Sequence, residues 1–567
     1  MDEKELRERI LSNDYLDIIL NFRSNPEIWM EQFRDYGAQP FGGGFGMVHA
    51  LSDRFPENPM EITGYYSIPK LFSTLDTTSL EASGILQVQT QPLLNYMGRN
   101  VILGFIDTGI DYTLPTFRRR DGRSRILRLW DQSVQTGTPP ENLFYGSEYT
   151  EEQINDALDL EDPYSAVPSR DEDGHGTRLA GIAAGSMDPA SDFTGAAPEA
   201  DIAVVKLKPA KQNLRDFYLT EKDSAVYQET DIMMAMRYLL DVSYALQKPI
   251  VICLGLGSSQ GSHTGYSPLA QVLAYYSGFT GCYIIVAAGN EAGKSHHYYG
   301  KLAPSQEFDA VEILVDEKDE GFSVELWGQP PELYSVGIVS PLGETIARIP
   351  ARLNQSATLR FTLEKTVIHL YYELVEAATG NELILLRFKN PTPGIWTVRV
   401  YSDIYINGTF HMWLPVTGQI SPGTVFLAPN PDTTLTAPAN NEEVITVSTY
   451  NAYNGSLYIN SSRGYTRDGK IKPDIAAPGV DVAAPEPGGG YGGYTGSSAA
   501  AALTAGAVAL LINWGRANYP NRYFTNLEVQ SFLIRGATRN PQFLFPNREW
   551  GYGTLNLYQI FLNLMNQ

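Results

Sequence analysis

The feature that most constrains the fold of this chain is a set of continuous apolar segments, each short enough to be a single strand. Four of them, VILGFID, DIAVVKLK, PIVICLGLG and CYIIVAAGN, lie between residues 78 and 300 and alternate with helical stretches such as Asp231 to Ala245. This alternation is typical of a parallel sheet that is covered on both faces. We therefore predict an α/β fold with a doubly wound parallel sheet and a functional site at the carboxyl ends of its strands.

A different pattern occupies residues 301 to 430. Short segments such as FSVELWG, VIHLYYELV and IWTVRVYSD alternate polar with apolar residues and are separated by Gly, Pro and Asn. This pattern predicts a β-sandwich or jelly roll. Because the α/β pattern resumes at EEVITVS, the sandwich is predicted to be an insertion within the α/β domain.

Residues 1 to 77 form a further segment. A charged amphipathic opening is followed by the strand-like run DYLDIILNF, a glycine cluster and the apolar run GMVHAL, which together predict a small α+β unit. At about 150 residues per domain, a chain of this length corresponds to three or four domains. The predicted organisation is an N-terminal unit (1–77), an α/β domain in two parts (78–300 and 431–567) and an inserted sandwich (301–430).

The charge balance and the apolar runs exclude several classes of partner. With 42 basic and 64 acidic side chains, the net charge is −22, which repels nucleic acids and anionic membrane surfaces. The first ten residues are highly charged, unlike a secretory signal, and the apolar run Ala499 to Ile512 is shorter than the ~18 residues of a membrane span. We expect a protein made in the cytoplasm without a signal peptide, with no nucleic-acid partner and no membrane insertion.

The cysteines and histidines predict no metal site. Cys253 and Cys282 each lie inside an apolar strand-like run, which predicts buried, reduced thiols that behave as small apolar side chains. His296 and His297 are adjacent, so they cannot form a pair spaced by four residues on one helix face.

Three segments contain residues capable of catalysis. Asp107 follows the apolar run Val101 to Ile106, where a buried parallel strand would end, and His175 lies in the sequence DGHGT at the entry to a helix. Ser498 precedes a long apolar helix, whose positive end favours negative charge on a nearby hydroxyl. Glycines beside His175 would allow its backbone to approach another segment closely.

Each segment also has a purely structural interpretation. Asp107 could be a metal ligand or a helix cap. Asp173 or Thr177 could cap the helix that begins near the histidine, and either Ser497 or Ser498 could cap the apolar helix. The combination of the three segments is more specific than any one of them.

The acid, the histidine and the serine occur in the order Asp107, His175, Ser498, which is the order found in subtilisin. The sequences IDTGID, DGHGT and GSSAAAALTAG, together with AAGNE (Ala287 to Glu291) and PDIAAPG (Pro473 to Gly479), resemble the motif blocks of the subtilisin-like serine proteases. The resemblance covers about 78–300 and 431–567. It implies a serine endopeptidase that acts on proteins or peptides and requires no cofactor.

The resemblance assigns the catalytic roles. Ser498 would be the nucleophile, His175 the general base, and Asp107 the residue that orients the imidazole and stabilises its charged form. Asn290 would supply the side-chain donor of the oxyanion hole, with the Ser498 backbone N–H as the second donor.

The resemblance also implies a substrate groove. An extended peptide would pair with Leu256 and Gly257. The pocket for the residue before the scissile bond (P1) would have Thr436 near its base, and its wall would be formed by Ala287, Ala288 and Gly289. This predicts a medium-sized, uncharged P1 pocket.

The chain departs from the family pattern at three positions. Ser497 stands where Thr is usual, Ala502 where Pro is usual, and Arg178 where a second His commonly follows the catalytic one. None of the three belongs to the predicted triad, so we expect activity, with a less rigid start of the serine helix. Calcium ligands cannot be assigned from the sequence.

The architecture resembles one group more narrowly, the clostridial germination proteases known as the Csp group. An N-terminal unit precedes the first motif, and the sandwich lies between the Asn290 and Ser498 blocks. The resemblance implies that residues 1–77 are a pro-region that aids folding, inhibits the enzyme and stays bound after self-cleavage. It further implies activation of another hydrolase by removal of its pro-segment, and a spore-associated or extracellular location.

The self-cleavage bond is predicted from the segment Ser83 to Val88, which resembles the start of a mature subtilisin-like domain. The bond is expected slightly upstream, within Leu75 to Ser79, between Thr77 and Thr78. The alternative is an N-terminal domain that stays permanently attached.

Two other functions remain open from the sequence. The first is a catalytically silent member of the same fold that acts in signalling or binding, which the altered residues around Ser498 favour. The second is a carrier for a carbohydrate-binding sandwich, which the aromatic residues of Ile404 to Trp413 suggest, although such residues are more often sandwich core.

Overall fold

The structure is a computed structural model that describes residues 3–23, 25–56, 59–74, 80, 82–91, 94–353 and 355–565. Its centre is an eight-stranded sheet in which the neighbouring strands are parallel, except for an antiparallel pair at one edge. In spatial order the strands are Ile475–Pro478, Ile445–Tyr450, Cys282–Ala287, Ile250–Leu254, Ile102–Asp107, Asp201–Lys206, Ile126–Asp131 and Ser147–Thr150.

Both faces of this sheet are buried, as the continuous apolar runs predict. Leu103 and Phe105 belong to the hydrophobic core on one face, and Ile102 and Ile106 to the core on the other. The first face is covered mainly by helices His175–Ala184 and Ser497–Asn518, the second by Glu229–Leu246 and Pro268–Ser277. The remaining helices of this part are Ile85–Thr90, Glu151–Leu158, Gln212–Tyr218, Asn526–Gly536 and Leu557–Met565.

The inserted segment is a sandwich of two antiparallel sheets around its own apolar core. The six-stranded sheet has the order His297–Lys301, Thr409–Trp413, Gly321–Gly328, Glu382–Lys389, Val367–Glu373, Ser356–Arg360. The five-stranded sheet has the order Thr345–Ile349, Leu333–Val339, Gly394–Ile404, Asp309–Val315, Val425–Phe426. The sandwich thus begins at His297, slightly before the predicted residue 301. Of the aromatic stretch Ile404 to Trp413, both Phe410 and Trp413 are buried, so these rings belong to the interior and not to a ligand surface.

The N-terminal segment is an α+β unit. Its helices are Glu3–Leu11, Pro26–Gln32 and Met60–Thr63, and its antiparallel sheet has the order Tyr15–Asn21, Phe45–Leu51, Gln39–Gly42. A further strand, Leu71–Thr74, leaves this unit and pairs with two short strands of the α/β part, Tyr227–Gln228 and Leu256–Gly257. The predicted fold class, a doubly wound α/β sheet with an inserted sandwich and an N-terminal α+β unit, is confirmed.

The serine helix corrects one detail of the sequence reasoning. The apolar run Ala499 to Ile512 is part of a 22-residue helix, Ser497–Asn518, which is long and apolar enough to cross a membrane. Length therefore does not exclude a membrane span here. The position of the helix is informative instead, because 94% of its most apolar 18-residue window is buried inside the fold.

Candidate active site

Three elements of the α/β part bring Asp107, His175 and Ser498 together. Asp107 is the last residue of its strand, His175 the first residue of its helix, and Ser498 lies in the first turn of the serine helix. His175 Nδ1–H donates to Asp107 Oδ1 at 2.6 Å, and Ser498 Oγ–H donates to His175 Nε2 at 3.2 Å. The three side chains are buried. This is a continuous hydrogen-bonded chain from carboxylate to hydroxyl.

Two glycines make the close approach of these elements possible. A Cβ on Gly176 would lie 2.2 Å from the carbonyl oxygen of Gly109, just beyond the aspartate. A Cβ on Gly255 would lie 2.9 Å from Cβ of Ser498 and 3.2 Å from Cε1 of His175. The histidine helix therefore needs glycine after His175, as the sequence indicated, whereas the role of Gly255 was not foreseen.

The histidine helix is capped by a residue that the sequence reasoning missed. The N-cap residue is Gly174, which makes no side-chain cap, but Asp173 Oδ1 accepts from His175 N–H, at the first residue of the helix, at 3.2 Å. Asp171 satisfies more of this end of the helix: its carboxylate accepts from Gly174 N–H at 2.9 Å, Thr177 N–H at 2.8 Å and Thr177 Oγ–H at 2.6 Å. A carboxylate beside a helix N-terminus is favourable, and it fixes the position from which His175 projects.

The serine helix also has no side-chain cap, since its N-cap residue is Gly496. The two serines are distinguished by their partners. Ser497 Oγ accepts from Gly289 N–H at 3.0 Å, whereas Ser498 Oγ faces the imidazole. Asn290 lies beside them, and its Oδ1 accepts from Ser497 N–H at 3.0 Å. This bond fixes the amide group of Asn290 next to the first turn of the serine helix.

A short strand, Leu256–Gly257, borders the site and is already paired. Leu256 is opposite Thr74 and Gly257 is opposite Ser73 in an antiparallel register with strand Leu71–Thr74. The N-terminal segment thus occupies this edge as an added strand, in the way a bound peptide would. Thr77 and Thr78, the predicted cleavage position, lie outside the described residues.

The predicted P1-pocket residues also come together. The wall Ala287 to Gly289 follows a buried central strand, and Thr436 N–H donates to Ala288 O at 3.0 Å. The Thr436 side chain lies between Gly257 and Gly289, which come from two other segments. A Cβ on Gly257 would lie 2.2 Å from Thr436 Oγ1, and a Cβ on Gly289 would lie 2.8 Å from the same atom. The base of the predicted pocket is therefore uncharged and close to both walls.

Arg178, one of the departures from the family pattern, contacts a hairpin next to the triad. Its Nη2 donates to Glu486 at 2.6 Å, and its guanidinium lies 4.9 Å from the ring centroid of Tyr494. The Tyr494 ring in turn packs edge-on against His175, with centroids 5.9 Å apart. Arg178 thus anchors the segment that borders the histidine.

The described part of the chain contains no group of three or more His, Cys, Asp or Glu side chains placed to hold a metal ion. Cys253 and Cys282 are free and buried, and burial raises the pKa of the Cys282 thiol to about 12. Both thiols therefore stay protonated at neutral pH. The site offers nucleophilic and acid–base chemistry from its own side chains.

Comparisons with known proteins agree with this geometry. Residues 98–312 and 355–553 match the model of the subtilase family, Peptidase_S8. The chain is 25% identical over 505 residues to subtilisin-like protease SBT3.3 of Arabidopsis thaliana, and the alignment covers 78% of this chain and 60% of the plant protein. It is 22% identical over 462 residues to the C5a peptidase of Streptococcus pyogenes, and that alignment covers 77% of this chain and 36% of the peptidase. The chain therefore spans less than two thirds of the plant protease.

Among solved structures, the CspB protease of Clostridium perfringens is similar at a TM-score of 0.76 and 30% identity, over 86% of this chain and 97% of that one. Together, the family model and this structural similarity show that the chain belongs to the subtilase family, the subtilisin-like serine proteases.

Proposed function

We propose that this protein is a serine endopeptidase that cleaves peptide bonds through an acyl-enzyme. The observation that carries the proposal is the hydrogen-bonded chain from Asp107 through His175 to Ser498. In this mechanism His175 accepts the Ser498 proton as Oγ attacks the scissile carbonyl, and later donates it to the leaving amine. Asp107 holds the Nδ1–H tautomer, because a carboxylate can only accept from that nitrogen.

The negative oxygen of the tetrahedral intermediate would be stabilised by two donors. These are the Asn290 Nδ2–H group and the Ser498 backbone N–H at the start of the serine helix. The hydrogen bond from Ser497 N–H to Asn290 Oδ1 turns the amide so that its nitrogen is left for the substrate. Burial of the site would strengthen these interactions, since fewer water molecules screen them.

We further propose that the protein is made as a zymogen that cleaves itself between Thr77 and Thr78. The antiparallel pairing of Leu71–Thr74 with Leu256–Gly257 supports this, because that strand ends three residues before Thr77 and occupies the edge at which we expect a substrate to pair. The released pro-region would remain bound through its other contacts. From the resemblance of the architecture to the Csp group, we also propose a role in activating another protein by removing its pro-segment, with a spore-associated or extracellular location.

An active-site fluorophosphonate probe tests the catalytic proposal. The probe should label wild type and should not label Ser498→Ala. Ser497→Ala is the matched control, because its hydroxyl bonds to Gly289 N–H and not to His175, so this variant should still be labelled. In subtilisin, loss of the serine or the histidine lowers kcat about 10⁶-fold, and we expect a loss of that scale for Ser498→Ala. Absence of labelling in mature wild type would instead indicate a catalytically silent family member.

Denaturing electrophoresis tests self-processing. Wild type should run as two fragments and Ser498→Ala as one chain of 567 residues. Sequencing the N terminus of the larger fragment locates the bond. Two fragments from purified Ser498→Ala would show that another protease makes the cut, and an intact wild type that hydrolyses peptides would refute self-processing.

A further inference from the structure

His263 lies in the loop between strand Leu256–Gly257 and helix Pro268–Ser277. Its side chain is buried, and its backbone φ is 54°, a left-handed conformation that non-glycine residues seldom adopt. Residues held in such a conformation persist where their surroundings fix them firmly. The contacts of the His263 ring show what fixes it.

Both ring nitrogens of His263 face carbonyl oxygens. Nδ1 lies 2.9 Å from Leu435 O, and Nε2 lies 2.9 Å from Ser259 O. A neutral imidazole has only one N–H, so it could donate to one of these carbonyls and would set a nitrogen lone pair against the other. Only the doubly protonated ring donates to both.

The face of the ring is also suited to a positive charge. It stacks on Trp413 of the sandwich with centroids 4.0 Å apart and planes 8° apart. The indole face is the aromatic surface that attracts cations most strongly. The two carbonyls raise the pKa of His263, but burial lowers it more, to about 4, and so favours the neutral ring. The contact geometry nevertheless fits the charged ring, because only the charged ring has an N–H group facing each carbonyl oxygen.

The other charged or titratable groups around the ring come from four segments. Arg467 donates from its backbone N–H to His263 O at 2.9 Å and from Nε to Ser262 O at 2.7 Å, and its charge lowers the pKa of His263. Glu325 of the sandwich accepts from Gly261 N–H, in the same loop, at 2.8 Å. His297 and His411 lie on the sandwich strands, where both rings stack with Trp413.

The two carbonyls belong to two segments that border the proposed P1 pocket. Ser259 follows the peptide-pairing strand Leu256–Gly257 by two residues, and Leu435 directly precedes Thr436 at the base of the pocket. We propose, building on the proposed endopeptidase function, that doubly protonated His263 is a positioning residue that ties the peptide-pairing strand to the base of the P1 pocket. The sandwich contributes through Trp413, so the insertion would stabilise the shape of the pocket without contacting substrate.

Kinetics with two peptide substrates test the functional half of this proposal. For a peptide with a small apolar P1 side chain, His263→Gln should raise KM about tenfold and change kcat less than about twofold, because the pocket loses its shape while the triad does not. For the same peptide with P1 glycine, KM should be unchanged, since glycine places nothing in the pocket. Equal losses on both peptides, or no loss on either, would overturn the positioning role.

The matched control is His369→Gln, which removes a histidine from the sandwich strand Val367–Glu373 and should leave both peptides unaffected. Should His263→Gln fail to fold, His263→Phe keeps an aromatic ring on Trp413 and removes both N–H groups. The same pattern is expected of it.

NMR of ¹⁵N-histidine-labelled protein tests the charge state directly and does not depend on activity. At pH 6.5, the signal that disappears in the His263 variant should show two protonated ring nitrogens. A neutral tautomer at that signal would overturn the proposal even if the enzyme is active. Conversely, if wild type neither hydrolyses peptides nor reacts with the fluorophosphonate probe, the proposed function fails while the charge state is still measured.

Discussion

The N-terminal unit and the sandwich both pack on the α/β part, but they do so with different chemistry. The N-terminal unit contributes a buried charge: Asp17 accepts from Lys211 Nζ at 2.7 Å, from Gln228 Nε2 at 2.6 Å and from its neighbour His49 Nδ1 at 2.6 Å. Although burial raises it, Lys211 and His49 lower the pKa of Asp17 well below its usual range. Asp17 is therefore ionised, and each of its partners stabilises the buried carboxylate.

The sandwich packs mainly through large rings. Trp327 and Trp413 are buried in a cluster that also contains Phe217 and Tyr218 of the α/β part and Tyr65 of the N-terminal unit. Tyr65 OH donates to Glu325, and Tyr371 OH donates to Met60 O at 3.1 Å. The three parts thus meet in one apolar cluster with a few directed hydrogen bonds.

The difference shows how each interface would fail. Buried ion pairs tolerate the loss of one partner poorly, because the other charge is then left without compensation. Aromatic interfaces lose stability in proportion to the area and volume removed. The following predictions test this contrast, from the largest expected effect to the smallest.

Removing Lys211 should be the most damaging change. Lys211→Met keeps much of the side-chain volume but leaves Asp17 buried without its cation, so we expect a loss of about 3–5 kcal/mol in the free energy of unfolding. Urea denaturation measures it, with protein carrying Ser498→Ala to prevent proteolysis. The double variant Lys211→Met, Asp17→Leu removes both charges and should recover part of the loss, since Gln228 and His49 then lose their acceptor. No recovery at all would contradict the uncompensated charge as the cause.

Truncating Trp413 should cost somewhat less. Trp413→Ala removes a buried indole from the junction of the sandwich and the α/β part, for an expected loss of about 3 kcal/mol. Trp413→Phe, which keeps a ring, should lose less than half of that. Equal losses for Phe and Ala would show that the hydrogen bond from the indole to Thr433 O, at 3.2 Å, matters more than the ring area.

Acid should weaken the sandwich interface through His297. Burial lowers the pKa of His297 to about 3, so the folded state holds a neutral ring while the unfolded state binds a proton below its pKa of about 6.5. The unfolded state then binds more protons, and stability falls as the pH decreases from about 6.5 towards 3. Between pH 7 and pH 5 this group alone contributes a loss of about 2 kcal/mol. Urea titrations at both pH values should show a smaller pH-dependent loss in His297→Gln; an unchanged loss would assign it to other groups.

The smallest effect is expected at an exposed ion pair. Arg522 Nη2 and Glu528 are 2.6 Å apart, with side chains 60% and 34% exposed. Because water screens such pairs, Arg522→Met should change the unfolding free energy by no more than about 0.5 kcal/mol. The same substitution type has a large predicted effect at Lys211, so comparable losses at the two sites would refute the contrast between buried and exposed charge.

The candidate catalytic residues could be named from the sequence because each motif rests on local chemistry. A short continuous apolar run is typical of a strand buried on both faces, so the run ending at Asp107 indicated the sheet edge. His175 between glycines and Ser498 before an apolar helix could likewise be assigned from their neighbours. The structure brings these three residues together, as the motif order implied. The inserted sandwich could also be predicted, since alternating and continuous apolar patterns differ clearly.

Other features depend on contacts between distant segments. Asp171 caps the histidine helix because the preceding loop folds back on it, and many carboxylates in the sequence look equally suitable. His263 is joined to Leu435 across 172 positions of sequence, and nothing near it in the chain indicates two carbonyl partners. Sequence by itself determined the fold class and the candidate triad, because apolar periodicity and motif chemistry are local. Tertiary structure alone decided which buried polar groups meet, because desolvated charges and hydrogen bonds depend on partners that the fold supplies.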